Sequence, residues 1–132
     1  MGQHATVYRA TRGLIGHRIP GLPPFLVVEH VGAKSGRRRT TPLLYIEDGD
    51  RYVVVASKGG HPRHPAWYHN LRANPDVTIQ VGSRRMQAHA RDAYPDERPR
   101  LWNRAVEAWG QYEDYQRRTP REIPVVVLEP RS

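Results

Sequence analysis

The chain has 132 residues, enough for one domain with a single core, and no cysteine, which excludes disulfides and thiolate metal sites. Hydrophobic residues are 38% and charged residues 26% of the total, no apolar run reaches the length of a bilayer span, and the N-terminus lacks the order of a secretion signal. The expectation is therefore a cytoplasmic globular protein. Lysine and arginine number 21 against 13 acidic residues, a formal net charge of +8, and such an excess points to an anionic partner wherever the cations cluster.

Residues 3–18 read as a short basic helix, with Val7, Ala10, Leu14 and Ile15 on one side. The prolines of "IPGLPP" end it. Phe25 to Val31 reads as a strand, "GAKSG" as a turn, and Arg39 to Glu47 as a second strand. The turn "DGD" leads into a third strand, Arg51 to Ser57. Past the prolines of "HPRHP" a helix starts, with Trp67 and Tyr68 in its first turn. Val77, Ile79 and Val81, then Met86, Ala88 and Ala90, alternate with polar residues as a hairpin does. Pro95 opens a helix carrying Leu101, Trp102, Ala105, Val106 and Trp109 at helical spacing. Ile123 to Glu129 is apolar on both faces, which marks a central strand. Six strands with hairpin connections imply a small closed β-barrel with few helices.

Three clusters carry chemistry. In "GAKSGRRRT" two glycines allow backbone N–H groups to converge on an anion, and Lys34, Arg37, Arg38 and Arg39 add positive charge. It is not a P-loop, because a strand and not a helix follows. "SKGG", from Ser57 to Gly60, adds a second lysine. Pairing of the second and third strands through "DGD" sets Arg39 to Thr41 beside Ser57 and Lys58, so the basic turns meet at one end of the sheet. His61, His64 and His69 lack metal-site spacing and carboxylate partners; helix capping by His64 is the expected role. Trp67 and Tyr68 either stack a flat ligand or anchor the helix on the core, and Asn70 offers an amide to a heteroaromatic edge. Trp109, Tyr112 and Tyr115 recur every three residues, and serve either a substrate or the rim of the barrel.

The run "AKSGRRRTTPLLYIEDGDRYVVVASKGGHPRHPAWYHNLRANPDVTIQV" followed by "YEDYQRRTPREIPVVVLEP" resembles the deazaflavin-dependent nitroreductase family of actinobacteria. The resemblance implies a split β-barrel of the FMN-binding type, mainly β with a few helices (α+β), over residues 25–132. An N-terminal helix or lid segment over 1–24 precedes it. It implies coenzyme F-420, an 8-hydroxy-5-deazaflavin with a phosphate and glutamate tail. Ala33, Lys34, Ser35, Arg39, Thr40, Thr41, Pro42, Leu43 and Leu44 would hold the phosphate and line the deazaflavin. Val55, Ala56, Ser57 and Lys58 would flank the ring system, and Ala66, Trp67, Tyr68, His69 and Asn70 would close over it. Trp109, Tyr112 and Tyr115 would face the substrate, with Tyr112 orienting or protonating it. The implied reaction is hydride transfer to a small-molecule acceptor: an activated alkene, a quinone or a nitroaromatic. The chain would act as a monomer or homodimer, its N-terminal helix a lid or a peripheral membrane contact. The rivals are an FMN-binding reductase of the same fold and a basic nucleic-acid-binding barrel; no oligonucleotide-binding signature is present, so no nucleic acid is expected.

Overall fold

The structure, a computed structural model, describes residues 24–131. The helix expected over 3–18, and with it the choice between lid and membrane contact, lies outside the described residues.

Seven strands form one antiparallel sheet: β1 (Phe25–Val31), β2 (Arg38–Leu44), β3 (Ile46–Asp48), β4 (Arg51–Val55), β5 (Asp76–Val81), β6 (Arg84–Asp92) and β7 (Val125–Pro130). Their order is β2-β1-β5-β6-β7-β4-β3. The single strand expected over Arg39 to Glu47 is two. β2 pairs along its length with β1, from Leu44 with Phe25 to Arg38 with Val31. At Tyr45 the ladder ends: its N–H donates to Pro24 O at 3.0 Å, and from Ile46 the chain pairs with β4 instead. The two edge strands are thus consecutive in the chain, and the sheet curls on itself around that one residue.

Helix α1 (Ala66–Ala73) packs Trp67, Tyr68 and Leu71 into the concave face. There they meet Leu26, Val28, Tyr52, Val54, Ile79, Val126 and Leu128. Helices α2 (Arg98–Ala108) and α3 (Gln111–Arg117) cover the convex side of β4 and β7. Val53, Val125 and Val127 face Leu101 there, and Val55 faces Ala105, Tyr112 and Ile123. Burial on both faces explains the apolar runs Tyr52–Val55 of β4 and Val125–Leu128 of β7, each enclosed valine contributing roughly 1.5–3 kcal/mol. As expected, β7 is central, between β6 and β4.

Helix α2 begins at Arg98 rather than Pro95, because 94–97 forms a separate turn in which Glu97 Oε2 accepts from Tyr94 N–H at 2.8 Å. Charge then fastens α2 to the β3–β4 hairpin. The buried Asp48 carboxylate accepts from Arg51, from Arg100 at 2.7 Å and from Arg104 at 3.3 Å. Glu97 pairs with Arg51 and Arg91, and Glu129 pairs with Arg91. Chiefly through its hydrogen bond from Arg100, Asp48 is held down to about 2.

Candidate cofactor site

The turn between β1 and β2 spends most of its backbone donors on itself. Gly32 N–H donates to Arg37 O at 2.8 Å and Gly36 N–H to Gly32 O at 3.0 Å. Arg37 N–H donates to Ser35 Oγ at 3.2 Å, and Ala33 N–H to Asn70 Oδ1 at 2.8 Å. The successive N–H groups of Lys34 and Ser35 have no hydrogen-bond partner among the described residues, a small concavity for an anion. A Cβ at Gly32 would lie 2.5 Å from Ser35 Oγ, so a larger residue there would push the Ser35 hydroxyl aside. Around it Lys34, Arg37, Arg38 and Arg39 are exposed, and none pairs with a carboxylate among the described residues.

Beneath the turn runs a buried chain of polar groups. Asn70 Oδ1 is occupied by the Ala33 N–H, so its Nδ2 donates to His30 Nδ1, at 3.3 Å. His30 therefore carries its proton on Nε2 and donates to Thr41 Oγ1 at 2.9 Å. Burial first, and Arg39 second, lower the His30 pKa, which keeps the ring neutral. The Thr41 hydroxyl keeps its own proton free to donate. An open depression of about 740 Å³ lies beside it, lined by His30, Arg38, Arg39, Thr40, Thr41 and Ala66 among others.

The connector from β4 to α1 is strained. Lys58 sits at φ +46°, the one non-glycine residue with positive φ among those described, and Gly59 and Gly60 follow at +61° and +81°. A lysine in this region carries a backbone cost that glycine would not. The Lys58 side chain is exposed and makes no ion pair among the described residues. Gly60 lies against α3, where a Cβ would come within 2.7 Å of Tyr115 O. His64 does not cap α1: the N-cap is Pro65 with no side-chain bond, and His64 Nδ1 is held at 2.9 Å by Arg121 Nη1.

Tyr112 is buried beside Val55, Ala105 and Ile123, and its hydroxyl makes no hydrogen bond among the described residues. Burial, helped by Tyr115, pushes it up to about 12. With Leu44 and Val55 it lines a small apolar hole. Tyr115 OH donates to Gln111 Oε1 at 3.0 Å, and the half-buried Trp109 caps the end of α2.

The structure thus gathers Ala33, Arg39, Thr40, Thr41, Ala66 and Asn70 at the turn, Ser57 and Lys58 against α3, and Leu44, Val55 and Tyr112 at the hole. Asn70 bonds to Ala33 and His30. Trp67 and Tyr68 face the core, with Tyr68 OH donating to Asp92 Oδ1 at 2.9 Å. Leu43 packs against that core and Pro42 pairs with Val27. Ala56 is buried, and His69 is exposed with its ring 5.7 Å from that of His64. The expected reason for convergence does not hold, because β2 pairs with β1 and not with β4; the bond from Ala33 to Asn70 joins the turn to α1 instead. Sequence reasoning missed His30 and Arg121. His30 carried a signal, a polar residue at an inward position of β1.

Comparison with known proteins bears on these groups. A family model described as F420H(2)-dependent quinone reductase matches residues 1–130. The F420H(2)-dependent quinone reductase Rv1261c of Mycobacterium tuberculosis is 53% identical over 128 residues, 95% of this chain and 86% of that one. Among solved structures, one titled F420-H2 dependent reductase (FDR-A) has TM-score 0.74 and 44% identity over 80% of this chain and 94% of its own. Another, titled a domain-swapped dimer, has TM-score 0.77 and 38% identity, covering 97% and 95%. HutZ of Vibrio cholerae, at 14% identity and TM-score 0.61 over 98% of this chain and 89% of its own, shares the split-barrel fold alone.

Proposed function

This chain belongs to the F420H(2)-dependent quinone reductase family, and from that premise we propose that it reduces a quinone with hydride from the reduced deazaflavin coenzyme. One observation carries the reading: a cluster of exposed cations around two free backbone N–H groups, at a turn where no carboxylate among the described residues answers them. A phosphate and glutamate tail is the ligand such a donor set fits, since charge-assisted bonds to both groups are strong. Lys34, Ser35 and Arg39 would hold the phosphate. Thr41 would donate its free hydroxyl proton into the depression. Val55 and Lys58 would flank the ring system, with Lys58 already fixed in place.

When bound, the coenzyme supplies the hydride; the chain supplies position and a hydrogen bond to the acceptor, and the balancing proton comes from solvent. Reduction of a quinone to a hydroquinone consumes one hydride and one further proton per carbonyl pair. Tyr112, kept protonated by burial, would donate a hydrogen bond to the acceptor oxygen, and Tyr115 would stand at the outer edge. A phenol pushed up to about 12 orients and polarises an acceptor more readily than it surrenders its proton. Activated alkenes and nitroaromatics are the other acceptors to screen.

Equilibrium titration with the deazaflavin coenzyme, read by its fluorescence, tests the cofactor, with FMN and single-stranded DNA in parallel. Stoichiometric binding of the deazaflavin alone is expected; binding of neither flavin overturns the reading. Tyr112→Phe should leave that binding unchanged and slow quinone reduction about tenfold. Unchanged turnover on several acceptors would remove Tyr112 from the reaction. The assembly, monomer or homodimer, is read from light scattering of the loaded protein.

A further inference from the structure

We propose that Arg121 is the positioning residue of the coenzyme side of the site, one guanidinium fastening the strained connector on both sides of Lys58. The inference deepens the functional reading above and rests on it.

The geometry is a clamp. Arg121 Nη1 donates to Ala56 O at 3.2 Å and Nη2 to Ser57 O at 2.7 Å, on one side of the Lys58–Gly60 turn. Nε donates to His61 O at 2.8 Å on the other side, and Nη1 also reaches His64 Nδ1 at 2.9 Å. Arg121 has no carboxylate partner among the described residues; backbone carbonyls take the place of one. A planar fork offers donors in several directions at once, which an ammonium group does not. Within the turn, the backbone bonds among the described residues are Gly60 N–H to Ser57 O at 2.9 Å and His61 N–H to Lys58 O at 3.0 Å. Those two bonds and three left-handed residues in a row would not hold a single conformation unaided.

Arg121 is itself tied to the tyrosine helix. Gln116, next to Tyr115 on α3, donates through Nε2 to Arg121 O at 2.7 Å and accepts at Oε1 from Ile123 N–H at 3.0 Å. The residue that sets Lys58 is therefore anchored to the element carrying Tyr112 and Tyr115.

The test compares wild type with Arg121→Lys and Arg121→Gln by amide hydrogen exchange over residues 55–64, by coenzyme titration and by kcat at saturating coenzyme. Exchange in the connector should rise at least about tenfold in both variants. The coenzyme Kd should rise about tenfold while kcat at saturation changes less than about threefold. Should both variants fail to fold, His64→Ala removes one acceptor only and should give the same pattern at about a third of the size. Unchanged exchange overturns the clamp whatever the cofactor. Faster exchange with an unchanged Kd overturns the positioning role and leaves a structural one. If wild type binds no deazaflavin, the functional reading fails separately, and the exchange result still decides the clamp.

Discussion

Two basic regions of the molecule use their charge in opposite ways. Under α2, Arg51, Arg91, Arg100 and Arg104 all face Asp48, Glu97 or Glu129. At the β1–β2 turn, Lys34, Arg37, Arg38 and Arg39 have no such partner among the described residues, and neither does Lys58 beside α3. Elsewhere the pattern is mixed: Arg85 pairs with Glu29, Arg72 with Asp92 and Arg131 with Asp76, whereas Arg63, Arg84, Arg118 and Arg121 have no carboxylate partner among the described residues. The first group builds the protein; the second is the one that the proposed function assigns to the coenzyme. A net charge of +8 does not distinguish them; the pairing does.

The comparison breaks if the paired region proves dispensable or the unpaired one structural. The largest effect is expected from Asp48→Ala, which leaves three arginines facing an empty place. It should cost about 3 kcal/mol, lowering Tm by roughly 10 °C, with coenzyme Kd unchanged. Acid should reproduce most of that loss. Asp48 titrates at about 2 in the folded chain against 3.8 unpaired, so its contribution is complete above pH 4 and disappears as pH falls toward 2. That is about 2 kcal/mol, measurable by denaturant titration at pH 5 and pH 2.5 and missing from Asp48→Asn. Lys58→Ala should do the reverse, weakening coenzyme binding about tenfold with Tm shifted by less than about 1 °C. Smallest of all, Lys58→Gly should stabilise the fold by ~0.5 kcal/mol, by relieving the left-handed backbone at φ +46°. It should still lose the binding that Lys58→Ala loses.

The sequence showed the architecture wherever alternation was clean. β1, the β5–β6 hairpin and the central β7 are where their apolar patterns put them, because one buried face or two leaves a direct imprint. The break at Tyr45 left none. It depends on Pro24 and β4, both distant in the chain, and "TTPLLYIED" reads as one strand. The candidate site shows the same division. The cationic turn was legible as composition, but its link to α1 rests on the bond from Ala33 to the Asn70 amide, which no local pattern announced. Trp67 and Tyr68 carried two readings that only the fold separates, and both rings lie in the core. Nothing near Arg121 announced its role, since its acceptors are backbone carbonyls some 60 residues away, and carbonyls have no sequence.

The central place of β7 governs how the fold is reached. Among the described strands, β2-β1-β5-β6 and β4-β3 are joined by hydrogen bonds only through β7. Residues 25–92 can therefore assemble two separate sheets early, but those sheets cannot be welded until residues 125–130 are seated between them. Closure depends on contacts of high sequence separation, which makes it the slow step. Until it occurs, the edges of β4 and β6 that β7 will cover stand open.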